Sequence, residues 1–171
     1  MANTFLAARG HSMGRSLVEE NSFVHARAIL EEARRRSAHI VLPVDIVVSS
    51  GPEDDACKVV SLDGVPDDAM ALDVGPATRE AFSAEIEKAG TIFWNGPMGL
   101  FEKPPFDAGT VAVAEAVGRS VAFSVVGGGD SVAAIRQSKL ESRFDHISTG
   151  GGASLALVGG QEMPGLKALE E

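Results

Sequence analysis

At 171 residues, with 44% hydrophobic side chains, the chain fits one domain with a single packed core. A formal net charge of −9 argues against nucleic acid or an anionic membrane as partner, since either needs a basic stripe to neutralise phosphates. The one cysteine, Cys57, excludes an intrachain disulfide and a thiol metal set, and no apolar run reaches the roughly 18 residues that span a bilayer, nor does the N-terminus look like a secretory signal. A soluble, cytoplasmic protein is the expectation.

Helical and strand patterns then alternate along the chain. Ala2–Ala8 reads as a helix, followed by a longer one over Ser22–Arg36 that ends in three arginines. Cations favour a helix C-terminus, and Glu31 and Glu32 precede them, so this end reads as a solvated face. A strand is expected over Ile40–Val48, with Pro43 marking an edge, a bulge or a strand end. The stretch Ser49–Asp68, rich in Gly, Pro and acids around a strand at Val59–Leu62, reads as a surface excursion with a small β pair. Met70–Val74 is a strand. Thr78–Ala89 is a helix with Thr78 as N-cap and Gly90 closing it. Thr91–Trp94, Val121–Val126 and His146–Ser148 follow as strands, alternating with helices over Thr110–Val117, Ser131–Ser138 and Ala153–Val158. Strands separated by helices imply crossovers, hence an α/β fold with a mostly parallel sheet and helices on both faces.

Two glycine triplets stand out, Gly127–Gly129 and Gly150–Gly152, each between a strand and a helix. Glycine allows positive φ and close backbone approach, so such a loop can aim several N–H groups at one anion. If the two preceding strands are neighbours, both loops lie at the C-terminal edge of the sheet, where α/β proteins bind ligands. Neither triplet fits GxGxxG, because Val132 and Leu155 occupy the third glycine position, and no GxxxxGK[ST] occurs. Asp130 reads equally as an N-cap or as a magnesium ligand beside phosphates. The loop from Asn95 to Glu102 also follows a strand; Glu102 reads as a surface acid or as an acceptor for ribose hydroxyls. The four histidines, His11, His25, His39 and His146, have no metal-site spacing.

The segments KVVSLDGVPDDAMALDVGP, TIFWNGPMGLFE, FSVVGGGDSVAAI and HISTGGGASL, in this order, resemble the nucleotide-binding, C-terminal half of phosphoglycerate kinase, and the resemblance runs from Met1 to Glu171. It implies a Rossmann-like three-layer sandwich and reversible phosphoryl transfer between 1,3-bisphosphoglycerate and ADP, with Mg2+, giving 3-phosphoglycerate and ATP. It further implies an adenine slot at Ala71, Leu72 and Leu100, Asn95 near the phosphates, Glu102 on the ribose, Asp130 on the metal and Ser131 on a phosphate. The backbones of Gly128, Gly129, Gly151 and Gly152 would then face the transferring group. Ala71 stands where the family often has Gly, and Ala69 where many members carry Trp.

Family members also carry, before residues like these, a further glycine run, phosphate-contacting lysines and an N-terminal domain that holds the phosphoglycerate. The resemblance therefore implies a fragment that is inactive alone and binds nucleotide weakly, with residues 159–171 packing on the N-terminal domain and the full-length enzyme monomeric. The alternative is a noncatalytic module that binds an adenine nucleotide or a phosphometabolite. A dinucleotide-binding dehydrogenase is disfavoured by the absent fingerprint.

Overall fold

In the computed structural model, which describes Met1–Glu170, the chain forms two three-stranded sheets tied together by helices and loops. Helix α1 (Ala2–Ala8) and helix α2 (Phe23–Arg35), the latter entered through a 3-10 turn at Glu20–Ser22, pack on each other ahead of the first sheet. At the end of α2, Arg34 pairs with Glu31, and both Arg35 and Arg36 with Glu32, as expected of a solvated helix end.

The first sheet holds β1 (Asp45–Ser49), β2 (Lys58–Ser61) and β3 (Met70–Val74) in the order β2-β1-β3, and both pairings are antiparallel. The expected β pair in the excursion is thus β1 with β2. The expected strand at Ile40–Val48 is shorter, because Ile40–Val44 has no regular structure and pairs with no strand. Val41, Leu42 and Pro43 instead line a cavity of about 700 Å3 between the two sheets.

Helix α3 (Pro76–Glu87) leads to the second sheet, whose strands β4 (Thr91–Asn95), β5 (Phe123–Gly127) and β6 (His146–Ser148) are all parallel. Helix α4 (Ala108–Arg119) crosses from β4 to β5 and α5 (Gly129–Gln137) from β5 to β6, with α6 (Gly151–Val158) and α7 (Pro164–Glu170) after β6. Trp94 and Val126 on the sheet, Val113, Ala114 and Val117 on α4, Ile135 on α5 and Phe144 form one core, with Phe82 and Ile86 of α3 packed against it. Helices α3, α4 and α5 therefore cover one face. The opposite face receives α6 but stays partly open: Phe123 is 56% exposed, and Leu155, Leu157 and Val158 of α6 itself are 47%, 56% and 68% exposed.

Thr78 is not the N-cap of α3. The helix starts earlier, with Pro76 in its first turn, where a missing N–H costs nothing, and Gly75 in the cap position. Thr78 is instead fully buried, its Oγ1 accepting N–H bonds from Val44 and Asp45 at 3.0 and 3.1 Å. Capping comes from β1: the Asp45 carboxylate accepts the N–H of Ala77 at 3.0 Å and of Thr78 at 2.7 Å. Burial works to raise the Asp45 pKa, but the Thr78 hydroxyl and these two N–H groups prevail and hold it below the usual carboxylate value.

Candidate functional site

Strands β4, β5 and β6 end side by side, so the loops that follow them converge on one edge. Gly127 of β5 stands opposite Asn95 of β4 and Ser148 of β6. Both triplets thus lie at the C-terminal edge of a parallel sheet, on neighbouring strands. They also touch. A Cβ on Gly151 would fall 2.5 Å from the Gly128 nitrogen and 2.6 Å from its Cα, so no residue but glycine fits there without moving the backbone. Gly128 itself turns the chain into α5 with φ of +100°.

Both helices start inside their triplets, two residues earlier than the sequence pattern placed them. The first N–H bonds of the helical kind run from Val132 to the Gly128 carbonyl, 3.0 Å, and from Ser154 to the Gly150 carbonyl, 2.9 Å. Ahead of them the N–H groups of Gly129, Asp130 and Ser131 in α5, and of Gly151, Gly152 and Ala153 in α6, have no backbone partner among the described residues. Neither helix has a side-chain cap. Two adjoining helix N-termini with open donors make an anion cradle formed without any cation.

The remaining candidate residues divide. Asn95 belongs to the cradle: its Nδ2 donates to the Gly127 carbonyl at 2.7 Å. Gly96 N–H donates to Ser131 Oγ at 2.6 Å, joining the loop after β4 to α5. The Ser131 side chain is fully buried, with its Oγ accepting the Gly96 N–H, so what Ser131 presents to the edge is its backbone N–H. Asp130 is not an N-cap either. It sits within the first turn of α5, exposed, with no hydrogen-bond or ion-pair partner among the described residues.

Ala71 and Leu72 on β3 line the cavity between the sheets together with Asn95, Gly96, Met98 and Gly99. Leu100 is tied to this wall by its N–H, which donates to the Leu72 carbonyl at 2.8 Å, and packs against a small core of Val47, Leu72 and Phe106. Glu102 lies beyond, exposed on the loop surface. No Lys or Arg lines the cavity, and no group of three His, Cys, Asp or Glu that could hold a metal ion occurs among the described residues. Of the histidines, His11 bonds Asp63 at 3.0 Å.

Comparison with known proteins settles the family. Residues 1–161 match the family model for phosphoglycerate kinase. The chain belongs to the phosphoglycerate kinase family. The phosphoglycerate kinase of Anaeromyxobacter dehalogenans (strain 2CP-C) is 51% identical over 172 residues, which are all of this chain and 43% of that one; that of Herpetosiphon aurantiacus is 49% identical, over all of this chain and 44% of that one. Among solved structures, phosphoglycerate kinase from Coxiella burnetii superposes with a TM-score of 0.93 at 41% identity, over 97% of this chain and 43% of that one. The enzyme from Pyrococcus horikoshii superposes with a TM-score of 0.82 at 35% identity. The chain thus spans about 43% of the length of these phosphoglycerate kinases.

Two residues with structural weight escaped the sequence reading: Asp45, which caps α3, and Asp73. Asp73 had a signal, being an acid inside an otherwise apolar strand, Met70–Val74.

Proposed function

We propose that this chain supplies the magnesium-nucleotide side of a reversible phosphoryl transfer between 1,3-bisphosphoglycerate and ADP, giving 3-phosphoglycerate and ATP, as a cytoplasmic glycolytic kinase. One observation carries the proposal: Gly151 lies against Gly128, so the N-termini of α5 and α6 open on the same point. Phosphoryl transfer leaves the protein little covalent chemistry; catalysis lies in positioning and in stabilising charge on the transferring group. The N–H groups of Gly128, Gly129, Gly151 and Gly152 are dipoles already oriented by the fold, which stabilise that charge without reorganising. Asn95 would hold the phosphate chain, Ala71, Leu72 and Leu100 the adenine, and Glu102 the ribose hydroxyls. Ser131 would act through its backbone N–H and by holding Gly96.

Magnesium fits the donor set. Mg2+ commonly takes one or two carboxylates, with water and substrate phosphates as its other ligands, and Asp130 is a single exposed carboxylate beside the cradle with no protein partner among the described residues. When bound, the ion would neutralise charge on the nucleotide phosphates. The chain's own part is to hold Asp130 on the first turn of α5, next to the open N–H groups.

The same reading makes the whole chain a nucleotide-binding domain. A second domain would hold the phosphoglycerate, and residues 159–171 would pack on it within a monomer; Leu166 and Leu169 of α7 are 45% and 83% exposed, as such docking requires. In-line transfer needs both substrates held together, so the chain alone is expected to give no turnover in a coupled kinase assay. Mixing it with a polypeptide carrying the rest of the Anaeromyxobacter relative is expected to restore turnover. Calorimetry should find MgADP binding, weaker than in a complete enzyme and abolished by Gly151→Ala, whose Cβ would displace the Gly128 backbone. Turnover by the chain alone would overturn the division of labour, and absence of any ADP binding would overturn the nucleotide reading.

A further inference from the structure

Asp73 is the only charged side chain buried among the described residues, at 5% exposure. Burying an ionisable group is costly unless hydrogen bonds compensate it, so its presence in a strand of apolar residues calls for a cause. Its Oδ1 accepts the Val74 N–H and its Oδ2 the Gly109 N–H, each at 2.8 Å. The second bond reaches across the molecule to the first turn of α4, where an N–H lacks a partner within its own helix.

Two glycines close on the carboxylate. A Cβ on Gly99, where φ is +63°, would lie 2.6 Å from Asp73 Oδ1, and a Cβ on Gly109 would overlap the same atom. Gly99 and Gly109 bracket the segment that carries Leu100 and Glu102, while β3 carries Ala71 and Leu72. The two walls assigned to the nucleotide base therefore meet on one carboxylate.

We propose that Asp73 is a positioning residue, whose carboxylate sets the separation of β3 from the 96–109 segment and with it the width of the slot between Ala71, Leu72 and Leu100. The ligand of that slot rests on the nucleotide reading above. Asparagine at this position keeps the shape but turns an N–H2 toward one of the two backbone donors, so one bond is lost. In Asp73→Asn the amides of Leu100 and Gly109 should exchange hydrogen faster, while those of Val126 and Val132 keep their protection.

Affinity separates positioning from general loosening. Losing one bond to a charged group weakens MgADP binding by about tenfold or more, whereas magnesium pyrophosphate, which needs only the glycine cradle, should bind Asp73→Asn as it binds the parent chain. Gly99→Ala, whose Cβ would press on both the Asp73 carboxylate and the Leu72 carbonyl and so force the two walls apart while keeping the carboxyl group, should show the same split; it serves alone if Asp73→Asn fails to fold. Equal loss of both ligands in both variants overturns the proposal, and so does a parent chain and Asp73→Asn chain that bind MgADP equally well. A parent chain that binds pyrophosphate but not ADP overturns the nucleotide reading and this proposal with it.

Discussion

Carboxylates in this chain respond to pH in opposite senses according to what surrounds them. Asp145 accepts the Ser124 N–H and hydroxyl, each at 2.8 Å, and these bonds, the N–H first, hold its pKa below the usual value. Like Asp45, it adds stability that is present above the unfolded pKa and is lost as pH falls through the lower folded value, hence below about pH 4. Asp73 is the reverse. Desolvation pushes its pKa up from 3.8 to about 6 against the pull of the Gly109 and Val74 N–H groups. A raised pKa means stability that is full below about pH 4 and falls away as pH rises through about 6, a swing on the order of 3 kcal/mol. The groups that bear on it are Arg79, which favours the charged form, and Asp107, which opposes it. The urea midpoint of the parent chain should therefore drop between about pH 4.5 and pH 7, and Asp73→Asn, with nothing to titrate there, should show little of that drop. An equal drop in the variant would assign the change to other groups.

Helix N-termini divide the elements into capped ones and open ones. Those of α3 and α4 are closed from outside, by Asp45 of β1 on Ala77 and Thr78 and by Asp73 of β3 on Gly109. Those of α5 and α6 follow glycines, have no side-chain cap and adjoin each other. Asp45→Ala should thus act on stability alone: it leaves the buried Thr78 N–H unpaired, at about 1–3 kcal/mol, and returns the exposed Ala77 N–H to water, while the Thr78 hydroxyl keeps its bond to the residue 45 carbonyl. A lower urea midpoint with pyrophosphate affinity unchanged is the expected result, and a parallel loss of affinity would contradict the division. The same contrast explains what was legible in the sequence. Strand, glycines and helix follow one another along the chain, so both triplets and the strands Met70–Val74 and His146–Ser148 could be read locally. Asp45 and Thr78 are 33 positions apart, and the cap they form depends on how β1 meets α3, which no local pattern records. The bond from the Gly96 N–H to Ser131 Oγ joins residues 35 positions apart on different loops, so it too leaves no local pattern. Ile40–Val44 has strand composition but no neighbouring strand, and composition alone cannot supply one.

Three separate apolar clusters hold the whole molecule together, one beneath each sheet and a small one between them. The small one consists of Val47, Leu72 and Phe106, with Met70 and Leu100 packed on it, and Phe106 is fully buried. Val47 and Leu72 belong to the first sheet, and Phe106 comes from the loop that leaves the second, so this cluster is the apolar joint beside the polar one at Asp73. Truncating a buried Phe to Ala costs about 3–5 kcal/mol, a large part of the roughly 5–15 kcal/mol that holds a typical domain folded. Because the loss falls on the joint, Phe106→Ala should uncouple the halves as well as destabilise them. Trp94, the sole tryptophan, lies in the cluster of the second sheet and reports on that half alone, while far-UV circular dichroism reports on both. In the parent chain the two signals should unfold together, as in a cooperative transition. In Phe106→Ala the dichroism should begin to fall at lower urea than the Trp94 emission, because the first sheet has lost its anchor while the second keeps its own core. Coincident transitions in the variant, merely shifted to lower urea, would mean that Asp73 and the Leu100 to Leu72 bond suffice to couple the halves.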